Sequence, residues 1–143
     1  GTSELATDAE ALAGTDETRY VNSKQAILRT DTITITRDNT DATATVQYSH
    51  SLWAVPKMIT FHAIFATNSF SHGSYDGTNS SAVFPTGTPW AATSTSFSIH
   101  ASTNTGTVQQ GVVSEITTTT FDIDWTKVGS PTGVVYIVAT LIA

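Results

Sequence analysis

Four histidines, His50, His62, His72 and His100, and two closely spaced carboxylates, Asp122 and Asp124, are the side chains of this sequence best suited to acid–base or metal chemistry. On a strand, positions two apart point the same way and lie about 7 Å apart, so the two aspartates are spaced as a carboxylate pair. Phe121, Ile123 and Trp125 fill the alternate positions, which makes Asp122 and Asp124 the solvated face of an amphipathic strand. A nucleophile needs a base and an orienting group beside it. The sequence has no Gly-x-Ser-x-Gly elbow, no phosphate-cradling glycine loop and no His-Glu-x-x-His. Catalysis is therefore not expected, nor is a cofactor or a resident metal. His62 and His100 fall in strands and read as hydrogen-bonded core histidines, while His50 and His72 fall near turns and read as exposed polar residues.

Recognition chemistry is better represented. An aromatic ring can cover the apolar face of a pyranose while Asp, Asn or backbone groups hold its hydroxyls. The segments His72-Gly73-Ser74-Tyr75-Asp76-Gly77-Thr78-Asn79 and Pro89-Trp90 carry those residue types in loop-like surroundings, and Trp53 before Pro56 can join them. Trp53, His72, Tyr75, Asp76, Asn79 and Trp90 are thus the candidate binding residues. Tyr75 and Trp90 also read as plugs at the ends of a β-sandwich.

The elements that position these residues follow from composition and period. In 143 residues only 13 % are charged, so Thr and Ser must cover much of the surface. Thr is β-branched and suits a pleated, half-exposed surface, which favours sheet over helix. A net charge of −6 supplies no footprint for nucleic acid or anionic lipid. Without cysteine, stability must come from packing or association. No run reaches the roughly 18 apolar residues of a membrane span, and membrane insertion is not expected.

From Asp31 onward the period is two. Thr32 to Thr36 alternates and ends in the turn Asp38-Asn39-Thr40-Asp41. Residues 42–50 form the next strand. Met58 to Ala66 is apolar on both faces and predicts a central strand covered on both sides. Short strands near 70–76 and 80–84 fit around Asp76-Gly77, and alternation returns in 95–101, 107–116, 119–125 and 134–142. About eight short strands with no long helix between them predict an antiparallel β-sandwich, jelly-roll-like in character, over residues 31–143. The apolar strand at 134–142 is either central or a surface that meets other subunits.

Residues 7–29 have a helical period. Thr7-Asp8-Ala9-Glu10 fits a capping box, Ala9, Leu12 and Ala13 share a face, and Gly14 is a stop signal. A second helix start falls at Asn22 with Gln25 three residues on. Helices this short must dock on something, since isolated helices below ~12 residues rarely persist in water. The string from Ala6 to Gln25, with Ala6, Ala9-Glu10, Ala13-Gly14-Thr15-Asp16, Tyr20-Val21 and Lys24 in order, resembles a segment common in bacteriophage tail-fibre proteins, with Asn22-Ser23 where Thr-Pro often stands. The segment from Phe121 to Lys127 followed by Pro131-Thr132-Gly133 and Tyr136 is also similar to the closing strands of phage fibre heads. An amphipathic arm packed on its own domain is the other reading of residues 7–29.

The resemblance implies a homotrimer in which residues 1–30 form a helical collar joined to the rest of the fibre and residues 31–143 form a receptor-binding head. The implied function is attachment of the virion to its bacterial host, through a surface polysaccharide or an outer-membrane protein, at the distal end of the fibre outside the cell. Some fibres that it resembles string iron along the trimer axis on His-x-His pairs; none occurs here, although a lone His62 or His100 can meet its symmetry mates on a three-fold axis. The Gly-Thr-Ser start, in place of Met, reads as a cut through a longer polypeptide. Two other readings stay open: a structural virion protein such as a neck, whisker or decoration component, and a secreted carbohydrate-binding module.

Overall fold

The computed structural model describes residues 30–66, 69–85, 91–104 and 107–143, with Thr7 and Ala9 from the preceding segment. The expected collar therefore lies almost wholly outside the described residues. Those residues form ten strands: β1 Thr30–Asp38, β2 Ala44–Ser49, β3 Met58–Ala66, β4 Ser69–Tyr75, β5 Ser80–Pro85, β6 Ala91–Ser94, β7 Ile99–Asn104, β8 Thr107–Ile116, β9 Thr120–Val128 and β10 Val134–Ile142. The fold is all-β, and every pairing is antiparallel.

Two sheets result, a six-stranded one in the order β1-β10-β3-β4-β5-β6 and a four-stranded one in the order β2-β9-β8-β7. Alternation decides which side chains enter the space between them. Ile35 from β1, Ile59, Phe61 and Ala63 from β3, and Val135, Ile137, Ala139 and Leu141 from β10 meet Ile99, Ala101, Val113, Phe121, Ile123 and Trp125 in one buried cluster. Each Val, Leu, Ile or Phe among them gains about 1.5–3 kcal/mol from leaving water, which is where the stability of a cysteine-free chain must come from. Trp125 is the largest fully buried side chain: its indole N–H donates to the Tyr48 hydroxyl at 3.1 Å, and the Arg37 guanidinium lies over its ring, 5.3 Å from the centroid.

Two strand expectations are corrected. β3 is central within its sheet, between β10 and β4, but only one of its faces is covered; Met58, His62 and Ile64 are exposed on the other. Apolarity on both faces does not distinguish cover by the chain's own core from a face open to something else. The alternation over 95–101 does not make one strand, because residues 95–98 form a corner that carries the chain from the large sheet to the small one. Ser98 anchors that corner, its N–H donating to the Gly111 carbonyl at 2.9 Å and its hydroxyl to the Ser74 carbonyl at 2.9 Å. The corner crosses β4 at Gly73, where a Cβ would sit 1.7 Å from the Ser98 carbonyl oxygen. The period survives the corner, since Phe97, Ile99 and Ala101 are all buried.

The register sorts the connections into two ends. At the end where Thr30 opens β1 and Ile142 closes β10 lie the β2–β3 loop, the β4–β5 hairpin turn and the β8–β9 turn. The β1–β2 turn and the β9–β10 connection lie at the other. There Asp38 accepts from the Thr40 N–H at 2.9 Å and hydroxyl at 2.7 Å, and these bonds hold its carboxyl below the ordinary carboxylate value.

Candidate binding groove

On the six-stranded sheet the outward face follows from register. Thr60 pairs with Ser74 and Ser74 with Ser81; one row over, His62 pairs with His72, His72 with Val83 and Val83 with Thr93. These rows, closed at one side by Ser94 and Thr95, floor an open groove of about 500 Å³ across β3 to β6. Its lining carries hydroxyls and imidazoles, including the Ser74 and Ser81 hydroxyls 2.9 Å apart, and no Lys, Arg, Asp or Glu among the described residues. Hydroxyl and neutral imidazole can both donate and accept. Such a lining, rich in groups that both donate and accept, matches a ligand rich in hydroxyls.

His62 and His72 stand at the centre. The His72 Nε2 lies 2.8 Å from one ring nitrogen of His62 and 3.0 Å from the other, and the two rings are perpendicular with centroids 3.8 Å apart. A nitrogen that close to both nitrogens of a perpendicular ring points at the ring face. Neither distance is therefore a bond directed at a lone pair, and the two imidazoles do not aim at a common point. No serine hydroxyl bonds either ring among the described residues, so the groove holds no nucleophile–base pair in place.

The other two histidines differ from expectation in opposite senses. His50, read as exposed, is buried at 7 %. Its Nδ1 accepts from the Leu52 N–H at 3.2 Å, which leaves Nε2 to donate to the Thr117 carbonyl at 3.0 Å. It ties the β2–β3 loop to the β8–β9 turn. His62, read as a core residue, is exposed. His100 does pack inward, stacked on Phe84 and Phe97 with centroids 3.9 and 5.1 Å away, and burial lowers its pKa to about 4. Asp122 and Asp124 project from the outer face of the small sheet, where Asp124 accepts from the hydroxyls of Thr45 at 2.6 Å and Ser114 at 3.1 Å.

The candidate binding residues are dispersed. Among the described ones, His72 alone lies in the groove. Tyr75 points inward and packs on the core, which is the plugging role. Asp76 and Asn79 form the β4–β5 turn, where Asp76 accepts from the N–H groups of Thr78 at 2.9 Å and Asn79 at 2.7 Å, bonds that keep its carboxyl below its usual range. Gly77 adopts φ +94° there, and a Cβ on it would lie 3.7 Å from the Lys57 carbonyl, so this turn rests on the β2–β3 loop that carries Trp53. Trp53 is 42 % exposed and holds φ 57°, a left-handed conformation that costs a bulky residue of order 1 kcal/mol or more. Trp90 lies outside the described residues. Thr60, His62, Ser74, Ser81 and Thr93 were not among the candidates. A signal for one of them was present, because a hairpin symmetric about Thr67 must set His62 against His72.

No protein-family model, curated protein or solved structure matches this chain.

Proposed function

We propose that this chain is the receptor-binding end of a bacteriophage tail fibre, a homotrimer whose β-sandwich head binds a neutral glycan of the bacterial surface. Residues 1–30 are its helical collar and join the head to the rest of the fibre. The observation that carries the reading is the groove across β3 to β6, uncharged and lined with hydroxyls and the His62 and His72 imidazoles. Sugar hydroxyls need partners that both donate and accept, and the groove offers them on rigid strands. The order of small, acidic and aromatic residues from Ala6 to Gln25 supports the fibre assignment. Each site can be weak, because three linked copies raise the effective concentration of the second and third contacts.

The test is binding of fluorescently tagged protein to a panel of bacterial envelopes and to polysaccharides extracted from them. Binding to a polysaccharide that falls at least tenfold in His72→Ala and Thr93→Ala supports the reading. Retention by an envelope protein, with no polysaccharide bound, would move the receptor to the outer-membrane proteins. A chain that binds no envelope is a structural virion component, and a monomer that binds free polysaccharide is a secreted carbohydrate-binding module.

A further inference from the structure

We infer that the outer face of β10, β3 and the start of β4 is the surface through which copies of this chain associate. The register lines up Tyr136, Ile64 and Phe70 in one row, with Val138 beside His62 in the next and Ile142 opposite Met58 further on. Ile64 is 63 % exposed, Tyr136 61 %, Phe70 49 % and Val138 44 %. A contiguous apolar band of this kind on a sheet face marks an interaction surface, whereas the outer face of the small sheet presents Thr45, Gln47, Asp122 and Asp124.

Charge selects the partner. The chain carries a net −6, so two copies repel wherever their carboxylates meet. β3, β4, β5, β6 and β10 contain no Lys, Arg, Asp or Glu, and the outward positions of β1 beside them are Thr30, Thr32, Thr34 and Thr36, with Asp38 at the end of the strand opposite Val134. Apart from Asp38 at its corner, this is the face on which two identical acidic copies can approach without setting like charges against each other, and its centre has no charge with which to select a different partner. Its size is adequate. At ~4.8 Å between strands and ~3.3 Å per residue, β1, β10 and β3 alone span a face of about 430 Å² in projection, and upright side chains and the start of β4 add to that. Stable interfaces bury roughly 800 Å² per partner. The band meets the groove at His62, while the rest of the groove lining on β5 and β6, Ser81, Val83 and Thr93, lies to one side of it.

The inference supplies a surface for the self-association assumed in the attachment reading, and it is tested without any receptor. Light scattering coupled to size exclusion on the full chain at micromolar concentration should give a multimer. Ile64→Lys and Val138→Lys should each shift it to monomer, while Gln47→Lys on the opposite outer face should not. Because a buried-side fold defect would also alter elution, the milder double variant Ile64→Thr with Val138→Thr, which keeps β-branched residues on the strands, is run beside them with far-ultraviolet circular dichroism. Loss of association with native dichroism supports the inference. A monomeric wild type, or variants that associate like the wild type, overturns it, and either result leaves envelope binding to be judged on its own.

Discussion

His100 shows how one side chain makes stability depend on pH. Burial against Phe84 and Phe97 disfavours its charged form and lowers its pKa to about 4, against an unfolded value of 6.5. Between those values the unfolded chain binds the proton and the folded chain does not, so stability is complete above about pH 6.5 and is lost as pH falls toward 4. Allowing for the ring's half-exposure, the loss is on the order of 1–2 kcal/mol. Urea unfolding at pH 7 and pH 4.5 should show that loss in the wild type and a smaller one in His100→Phe, which keeps the ring stack. Asp38 and Asp76, held below 3.8 by hydrogen bonds, contribute stability that is lost only at lower pH. At Gly73 the argument is steric. Ala there would press its Cβ on the Ser98 carbonyl, a backbone atom with no rotamer to escape into. Gly73→Ala should cost about 3 kcal/mol or more, read as a lower denaturant midpoint.

At the scale of elements, turns were the more legible part. Asp38-Asn39-Thr40-Asp41, which carries the chain from the large sheet to the small one, and Asp76-Gly77, in the β4–β5 hairpin, form turns because a side-chain carboxylate can take the N–H two residues on. The bounds of β3, β8 and β10 follow from alternation and the Gly and Pro residues around it. The corner at 95–98 was not legible, since Phe97, Ile99 and Ala101 keep the same period across it and only the crossing over Gly73 shows that the chain has changed sheets. Gln109 joins elements in a way that no local pattern announces. It is fully buried, and its amide donates to the Asn39 carbonyl at 3.3 Å and the Asp41 carbonyl at 3.0 Å, holding the β1–β2 turn against β8. Asn39, also fully buried, donates from its side chain to the Thr132 carbonyl at 3.2 Å and so adds the β9–β10 connection. Gln109→Ala removes two hydrogen bonds and strands two carbonyls. A loss of roughly 2–3 kcal/mol is expected, measured as a lower urea midpoint with an unchanged slope.

At the scale of the molecule, two sheets of unequal width share one core, and the wider sheet has an outer face that the chain itself does not cover among the described residues. Composition and period were enough to determine an all-β antiparallel chain with Phe121, Ile123 and Trp125 inside and Asp122 and Asp124 outside, because alternation on a strand is local geometry. They also determined a sparsely charged, hydroxyl-rich surface. Tertiary structure decided the rest. It sent Tyr75 to the core and His62 to the surface, buried His50 in a hydrogen-bonded tie, separated Trp53, Asp76 and Asn79 from the groove, and set His72 in its middle. The physical reason is that a period of two states which residues share a face but not what that face meets; pairing order and the stacking of the sheets settle that, and both depend on contacts far apart in the chain.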